Sequence, residues 1–413
     1  MRHRPLLPLF LAALLLMGAS SALAALPSES PADTFQVDGP RVRSVAIVDD
    51  NVWLAGRFAE LRAPNGSKVQ DVANLAVVDR SSGGASTTAE PLRLAGVTNA
   101  EVWKLATDGA TVYAAGKFTL SSEGKNYRNL IAFDGRTGAL ISSFRPLNTP
   151  VLQSVTAAAD TVYAGGRKLV AVDAATGTSS PAFTTSTIET DLSLRPGHNT
   201  PPQHRDLQIL GGYLYSACSC DSLTQEGRTR GVKALVRFDL GTGLHDERFA
   251  PEAMGKTATG ISVATDGTDM YLGGGGSDFV AKYSPTLQYG DGATFVGWQW
   301  WKRDTSGSAQ AVEVSGSDLI VGGHFVEVAD DLGDSCGFRS TDPGTLDPDG
   351  ECATRNRLAS YTLGGALQAW DPSVTGKYNG VWGLALHGAT IHVGGEFTRV
   401  HGIAQTHYAR LDP

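Results

Sequence analysis

Val112-Tyr-Ala-Ala-Gly-Lys-Phe118, then Asn129-Leu-Ile-Ala-Phe-Asp134, then Gly135-Arg-Thr-Gly138 follow one another within one short stretch of this chain. The two apolar runs are too short for helices and are bounded by turn residues, so they are predicted to be strands. Outward from them lie Val102 to Ala106, a Thr-Asp-Gly-Ala turn at 107–110, and Leu140 to Phe144. Together these make four short strands in an up-and-down meander. The second strand of that unit recurs as Val52 to Phe58, Val162 to Arg167, Leu214 to Cys220, Met270 to Gly276, Leu319 to Phe325 and Ile391 to Phe397. An interval of about 50 residues is that of propeller blades. The fold read from it is all-β: a seven-bladed β-propeller of four-stranded antiparallel blades.

The turns agree with this reading. Asp134-Gly-Arg-Thr-Gly138, Asp173-Ala-Ala-Thr-Gly177 and Asp239-Leu-Gly-Thr-Gly243 each place a capping Asp first and a Gly where positive φ is needed. The paired glycines of the second strand are read as close backbone approach or a bulge, and not as a phosphate loop. The last unit supplies only Val381 to Leu386, Ile391 to Phe397 and His407 to Leu411. Asp33-Thr-Phe-Gln-Val37 is therefore predicted to be the N-terminal strand that closes the last blade.

The first residues, Met1-Arg-His-Arg4, precede an apolar core from Leu6 to Met17 and small residues ending at Ala24. That is a secretory signal over 1–24, and the core is too short to span a bilayer. A single propeller domain then occupies 25–413, secreted and extracellular, with no membrane insertion of the mature chain. Loss of Arg2 and Arg4 from the 34 basic residues, against 42 acidic ones, leaves the mature chain about ten charges negative. This disfavours nucleic acid as a partner, and the chain is expected to be a monomer. Four cysteines in an exported chain suggest two local disulfides, Cys336 with Cys352 and Cys218 with Cys220, although three connectivities are open.

Topology selects a face. In a four-stranded meander the turns between strands one and two, and three and four, share one side. The long connections, Arg62 to Asp71, Ser121 to Arg128, Thr184 to His204, Ser222 to Gly231 and Val326 to Arg355, all fall on the other, read as polar loops and as the binding surface. There the residue after the paired glycines recurs as Arg57, Lys117, Arg167, Ser219, Gly275, His324 and Glu396. These form either a ligand-contacting ring or solvated strand ends. Trp300 and Trp301, beside Trp298, are candidates for stacking on sugar faces, with packing between blades as the alternative. Asp347, Asp349 and Glu351 partly match an oxygen-rich calcium loop but lack its twelve-residue pattern. Structural calcium is thus the one metal considered, and no cofactor is assigned.

No G-x-S-x-G, H-E-x-x-H or Walker loop is present, so no catalytic residue is assigned. The pattern V-Y-x-G-G-x-F, a polar loop, L-x-x-x-D-x-x-T-G and a later aromatic before Pro resembles the delta-sixty-repeat β-propellers of secreted bacterial proteins, which share a kelch-like pattern. It is strongest at Val112 to Pro146 and at Leu319 to Pro372. The resemblance implies fold and export, and little about ligand. Quinoprotein repeats share A-x-D-x-x-T-G but have adjacent cysteines, whereas Ser219 separates Cys218 from Cys220. The function expected is a non-catalytic binding or scaffold protein recognising carbohydrate or another cell-surface component; the alternative is an extracellular polysaccharide hydrolase or lyase.

Overall fold

The computed structural model describes residues 26–413, apart from 87–88, 90–93, 95–98, 148, 192, 194–200, 252–256, 289–295, 332–335 and 337–351, and apart from the side chains of 288 and 377–379. Residues 1–24, read above as the signal, lie outside it. Among the described residues the regular elements are β-strands. One antiparallel meander recurs along the chain. It is built in turn from Arg41–Val48, Asn51–Arg57 and Leu75–Asp79; Glu101–Thr107, Thr111–Ser122 and Lys125–Asp134; Ser154–Ala158, Thr161–Gly165 and Lys168–Asp173; and Gln203–Leu210, Tyr213–Ser219 and Leu235–Asp239. It continues with Thr259–Thr265, Met270–Gly275 and Phe279–Gln288; Ala309–Ser315, Asp318–Gly323 and Leu358–Thr362; and Val374–His387, Thr390–Val400 and Tyr408–Leu411.

The first strand of each meander packs against the first strand of the next, and Arg41–Val48 packs against both Glu101–Thr107 and Val374–His387. Sheets set side by side around a channel in this way are the architecture of a β-propeller. The core accordingly lies between meanders. Tyr113 meets Phe144 edge-on at 5.4 Å, Tyr163 meets Phe183 at 5.5 Å and Tyr215 meets Phe249 at 5.5 Å. In these repeats the second-strand aromatic and the late aromatic are thus partners in one interface, where edge-on rings add to the burial they already provide. Trp301 fills the same role, 6.3 Å from Tyr271 and 6.1 Å from Tyr361.

Three expectations change in detail. Among the described residues a long fourth strand, Val296–Asp304, is present beside Phe279–Gln288, while beside Lys168–Asp173 a short strand, Ser186–Glu189, pairs at Lys168 and Leu169 and joins that sheet to Ser222–Gln225. Elsewhere the fourth strand shrinks to single bridges such as Phe133 with Leu140, Val172 with Ser179 and Phe238 with His245. The reason is the turn before it: Asp134 Oδ1 accepts the Thr137 N–H and hydroxyl, and Gly138 takes φ of 74°. After so sharp a reversal the chain touches the sheet once and leaves to bury Phe144 in the next interface.

The second change concerns the polar loops. Glu60–Arg62 with Lys68–Asp71, Ser222–Gln225 with Arg228–Gly231 and Glu327–Ala329 with Cys352–Thr354 are two-stranded hairpins. The strands of the second meander likewise extend as a ladder through Ser122 and Lys125. These hairpins form a collar on the face that carries the long connections. Two of their turns are Glu123-Gly124 and Glu226-Gly227, all four residues at positive φ, the geometry of a tight hairpin turn.

The third concerns the N-terminal strand. It spans Gln36–Asp38 and its ladder partner is Glu60–Arg62, not Tyr408–Leu411. The residues leading to it meet the last meander through separate bonds, among them Ser28 N–H to Asp412 O at 2.7 Å, Ala32 N–H to Arg410 O at 2.8 Å, Val37 N–H to Thr406 O at 3.1 Å and Gln405 Nε2 to Thr34 Oγ1 at 3.0 Å. Pro31 and Pro27 in this stretch lack the N–H that a continuous ladder requires.

Candidate functional site

A repeated irregularity builds the site. Where the first strand of a meander pairs with the second, the register slips by one residue, leaving Arg43, Trp103, Arg205, Ile261, Gln310 and Trp382 as bulge residues in six meanders. In the third, Gln153 stands just before the ladder and donates its N–H to Gly165 O at 2.7 Å. A bulge re-aims a side chain that a regular strand would bury. All seven line one cavity of about 410 Å³. The glycine near the end of the second strand explains why the bulge is tolerated: a Cβ on Gly56, Gly116, Gly323 or Gly395 would collide with the carbonyl of Arg41, Glu101, Ser308 or Gly380. The paired glycines are therefore close-approach positions, as read from the sequence.

Charge in the ring is mostly paired. Arg41 reaches Glu396 at 2.6 Å and Glu101 at 3.3 Å, and Arg43 reaches Glu101 at 2.6 Å while lying 4.1 Å over the Trp382 ring. Lys104 meets Asp206 at 2.7 Å, and that carboxylate also accepts from Ser262 Oγ at 3.0 Å and Val263 N–H at 3.1 Å. Arg205 differs. Its Nε donates to Ser219 Oγ at 2.6 Å, and it has no carboxylate partner among the described residues. Burial, helped by the positive charge of Arg43, pushes its guanidinium down to about 10. Close by on the same strand, Gln203 Oε1 is buried with no donor.

Deeper in the channel a second cavity of about 380 Å³ is lined by small side chains such as Ala46, Ala106 and Ala385, with Glu313 among them. Burial raises the Glu313 carboxyl to about 7, with Lys104 opposing the shift and Asp206 reinforcing it.

The residues singled out in the sequence sit one strand further out. Glu396 is buried and holds Arg41. His324 lies 3.1 Å from the Gln310 amide and accepts the Ser308 N–H at 3.3 Å; burial, with Arg357 nearby, pushes it down to about 4. These two, with Ser219, brace the ring from behind. Arg57 pairs in register with Arg41 and Lys117 with Glu101, but neither lines the cavity. Arg167 is exposed and paired with Glu189. Trp300 is half exposed on the outer strand of the fifth meander, away from the cavity lining, and Trp301 is buried. Cys336 is bonded to Cys352 and Cys218 to Cys220. Asp347, Asp349 and Glu351 lie outside the described residues, and no group of three potential metal ligands occurs among those described.

The cavity residues that sequence reasoning missed, Arg41, Arg43, Glu101, Trp103, Lys104, Arg205, Asp206 and Trp382, left a trace. In Arg41-Val-Arg-Ser44, Glu101-Val-Trp-Lys104 and Gln203-His-Arg-Asp206 large or charged side chains at the first and third positions, followed by a polar fourth, break the period of two just before an apolar run. Such a break is the signature of a bulge.

No protein-family model matches the chain, and no curated protein matches its sequence. Among solved structures it is similar to the WD40 β-propeller domain of Doa1, at 10% identity and a TM-score of 0.49, over 93% of this chain and 96% of that one. It is also similar to BamB from Moraxella catarrhalis, at 13% and 0.46 over 87% and 96%, and to the computationally designed Ika8 protein, at 11% and 0.45 over 94% and 100%. At these values the likeness carries no argument about a ligand, and the propeller architecture rests on the chain's own sheets. No helix among the described residues is long and apolar enough to cross a membrane.

Proposed function

We propose that this chain is an exported, seven-bladed β-propeller, closed by its N-terminal segment, that acts as a non-catalytic binding or scaffold protein. It takes carbohydrate or another cell-surface component at the channel mouth on the collar face. The observation that carries the reading is the ring of six bulge residues and Gln153, which brings one side chain from each meander to one concave cavity. Such convergence of a few polar groups and an aromatic in a concavity is what a ligand site needs. Trp103 offers a partly exposed ring, and Gln153 and Gln203 offer amides suited to hydroxyl groups. The sequence of the first 24 residues and the two disulfides support export. Alternation of long and short connections supports the choice of face.

A glycan-binding screen run beside a polysaccharide-degradation assay tests this. Binding without turnover is expected, with Trp103→Ala weakening it roughly tenfold through the lost stacking surface. Substituting Arg57, Lys117 and Arg167 together is expected to change it little. Release of reducing ends or unsaturated products would instead favour the hydrolase or lyase, and binding lost only through changes at Asp108-Gly109 or Arg136-Thr137 would reject the face.

A further inference from the structure

Three of the four cations around the cavity are balanced. Arg41 and Arg43 share Glu101, with Glu396 behind Arg41, and Lys104 is held by Asp206. Arg205 is the exception: its single recorded partner is the neutral Ser219 hydroxyl, bound through Nε. That bond fixes the plane of the guanidinium and leaves the two terminal nitrogens without a partner among the described residues. A partly buried guanidinium beside a second cation is a site that an incoming anion would relieve. The shift of Arg205 down to about 10 expresses the cost of that position. Close by on the same strand, the buried Gln203 carbonyl lacks a donor and lines the same cavity.

From this geometry we infer that the cavity receives an acidic sugar, its carboxylate held by the terminal nitrogens of Arg205 and a neighbouring hydroxyl donating to Gln203 Oε1. The inference rests on the channel-mouth reading above and names the ligand class within it. A planar carboxylate matches the two-nitrogen edge of a guanidinium as a neutral group cannot. The hydroxyl supplies the proton that a carboxylate alone lacks, which is why a sugar acid fits these two residues together better than a simple anion does. Trp103 on one side and the Gln153 amide on another bound the space left for the ring.

The test uses the whole mature protein and a panel of uronate and sialate oligosaccharides, each beside its methyl ester and beside neutral oligosaccharides, read by calorimetry. The acids are expected to bind roughly ten- to a hundredfold more tightly than their esters, the range for hydrogen bonds to a charged group. Arg205→Gln is expected to erase that difference by weakening acid binding to the level of the ester, and Arg205→Lys to restore part of it. The acid-to-ester comparison needs no variant, so it stands even if Arg205→Gln does not fold. Equal binding of acid and ester, or an acid preference that survives Arg205→Gln, would overturn the carboxylate assignment. Binding of neutral sugars alone would overturn this inference and leave the channel-mouth reading intact, whereas no binding of any sugar would overturn this inference and the carbohydrate half of that reading, leaving another cell-surface component as the ligand.

Discussion

Several histidines are buried as uncharged residues. His392 stands in the second strand of the last meander where five other repeats carry Tyr or Trp and the sixth Ile320, fully buried, with Nδ1 2.9 Å from the Tyr408 hydroxyl. Burial pushes it from 6.5 down to about 4, with Arg410 adding to the shift and Asp412 opposing it. His204 is buried in the same way and pushed down to about 3. A base with a depressed folded-state pKa contributes stability that is present above its unfolded value and lost as pH falls through the folded one. For His392 the window runs from 6.5 to about 4. Between pH 7.5 and 5 it accounts for a loss of about 2 kcal/mol. His392→Gln keeps a hydrogen-bonding group near Tyr408 without the titration, so its unfolding free energy should fall less steeply over that interval. Equilibrium denaturation of the two proteins at both pH values measures this, and parallel profiles would refute it.

The bulge and its glycine form one element. The extra residue lifts a large side chain into the channel, and the strand beside it must then come close enough that a Cβ on Gly116 would strike the Glu101 carbonyl. Gly231, at the end of a collar hairpin, has open space around its Cβ position. Gly116→Ala should therefore cost about 1–3 kcal/mol as an overpacked position does. Gly231→Ala should be near neutral. Gly116→Ala should also displace Trp103 and lower ligand affinity, a pairing of effects that thermal unfolding and binding assays on one preparation would detect. Unchanged stability in Gly116→Ala would show that the bulge does not depend on its glycine.

At the scale of the molecule, the N-terminal segment touches what precedes and follows the break in the chain. Trp370 Nε1 donates to Pro27 O at 2.8 Å and Asp371 N–H to Glu29 at 3.0 Å, while Phe35 N–H reaches Gly83 O and Gln36–Asp38 pairs with Glu60–Arg62. Three parts of the molecule distant in sequence are thus tied by one stretch, with Val37 fully buried beneath it. Removal of 26–38 should lower stability by at least about 3 kcal/mol, from lost apolar burial and unmet hydrogen bonds. Thermal unfolding equal to that of the intact chain would sink the role given to this segment.

The repeat of V-Y-x-G-G, the D-x-x-T-G turns and the late aromatic determined the strands, the meander and the interfaces between sheets, because each depends on residues close together in the chain. Asp134 with Thr137 and Tyr113 with Phe144 could be read in this way. The collar hairpins were hidden because their strands, such as Lys68–Asp71, are polar on both faces and show no apolar alternation. The channel ring was hidden for a different reason. Arg43, Arg205 and Trp382 are far apart in sequence and ordinary in type, and only the closing together of meanders sets them around one cavity. Tertiary structure also decided which cations are neutralised: Arg41 meets Glu396 across 355 positions, while Arg205 meets a hydroxyl and no carboxylate among the described residues. Local sequence sets local geometry, but compensation of charge is a property of distance in space, and that is settled only when the sheets come together.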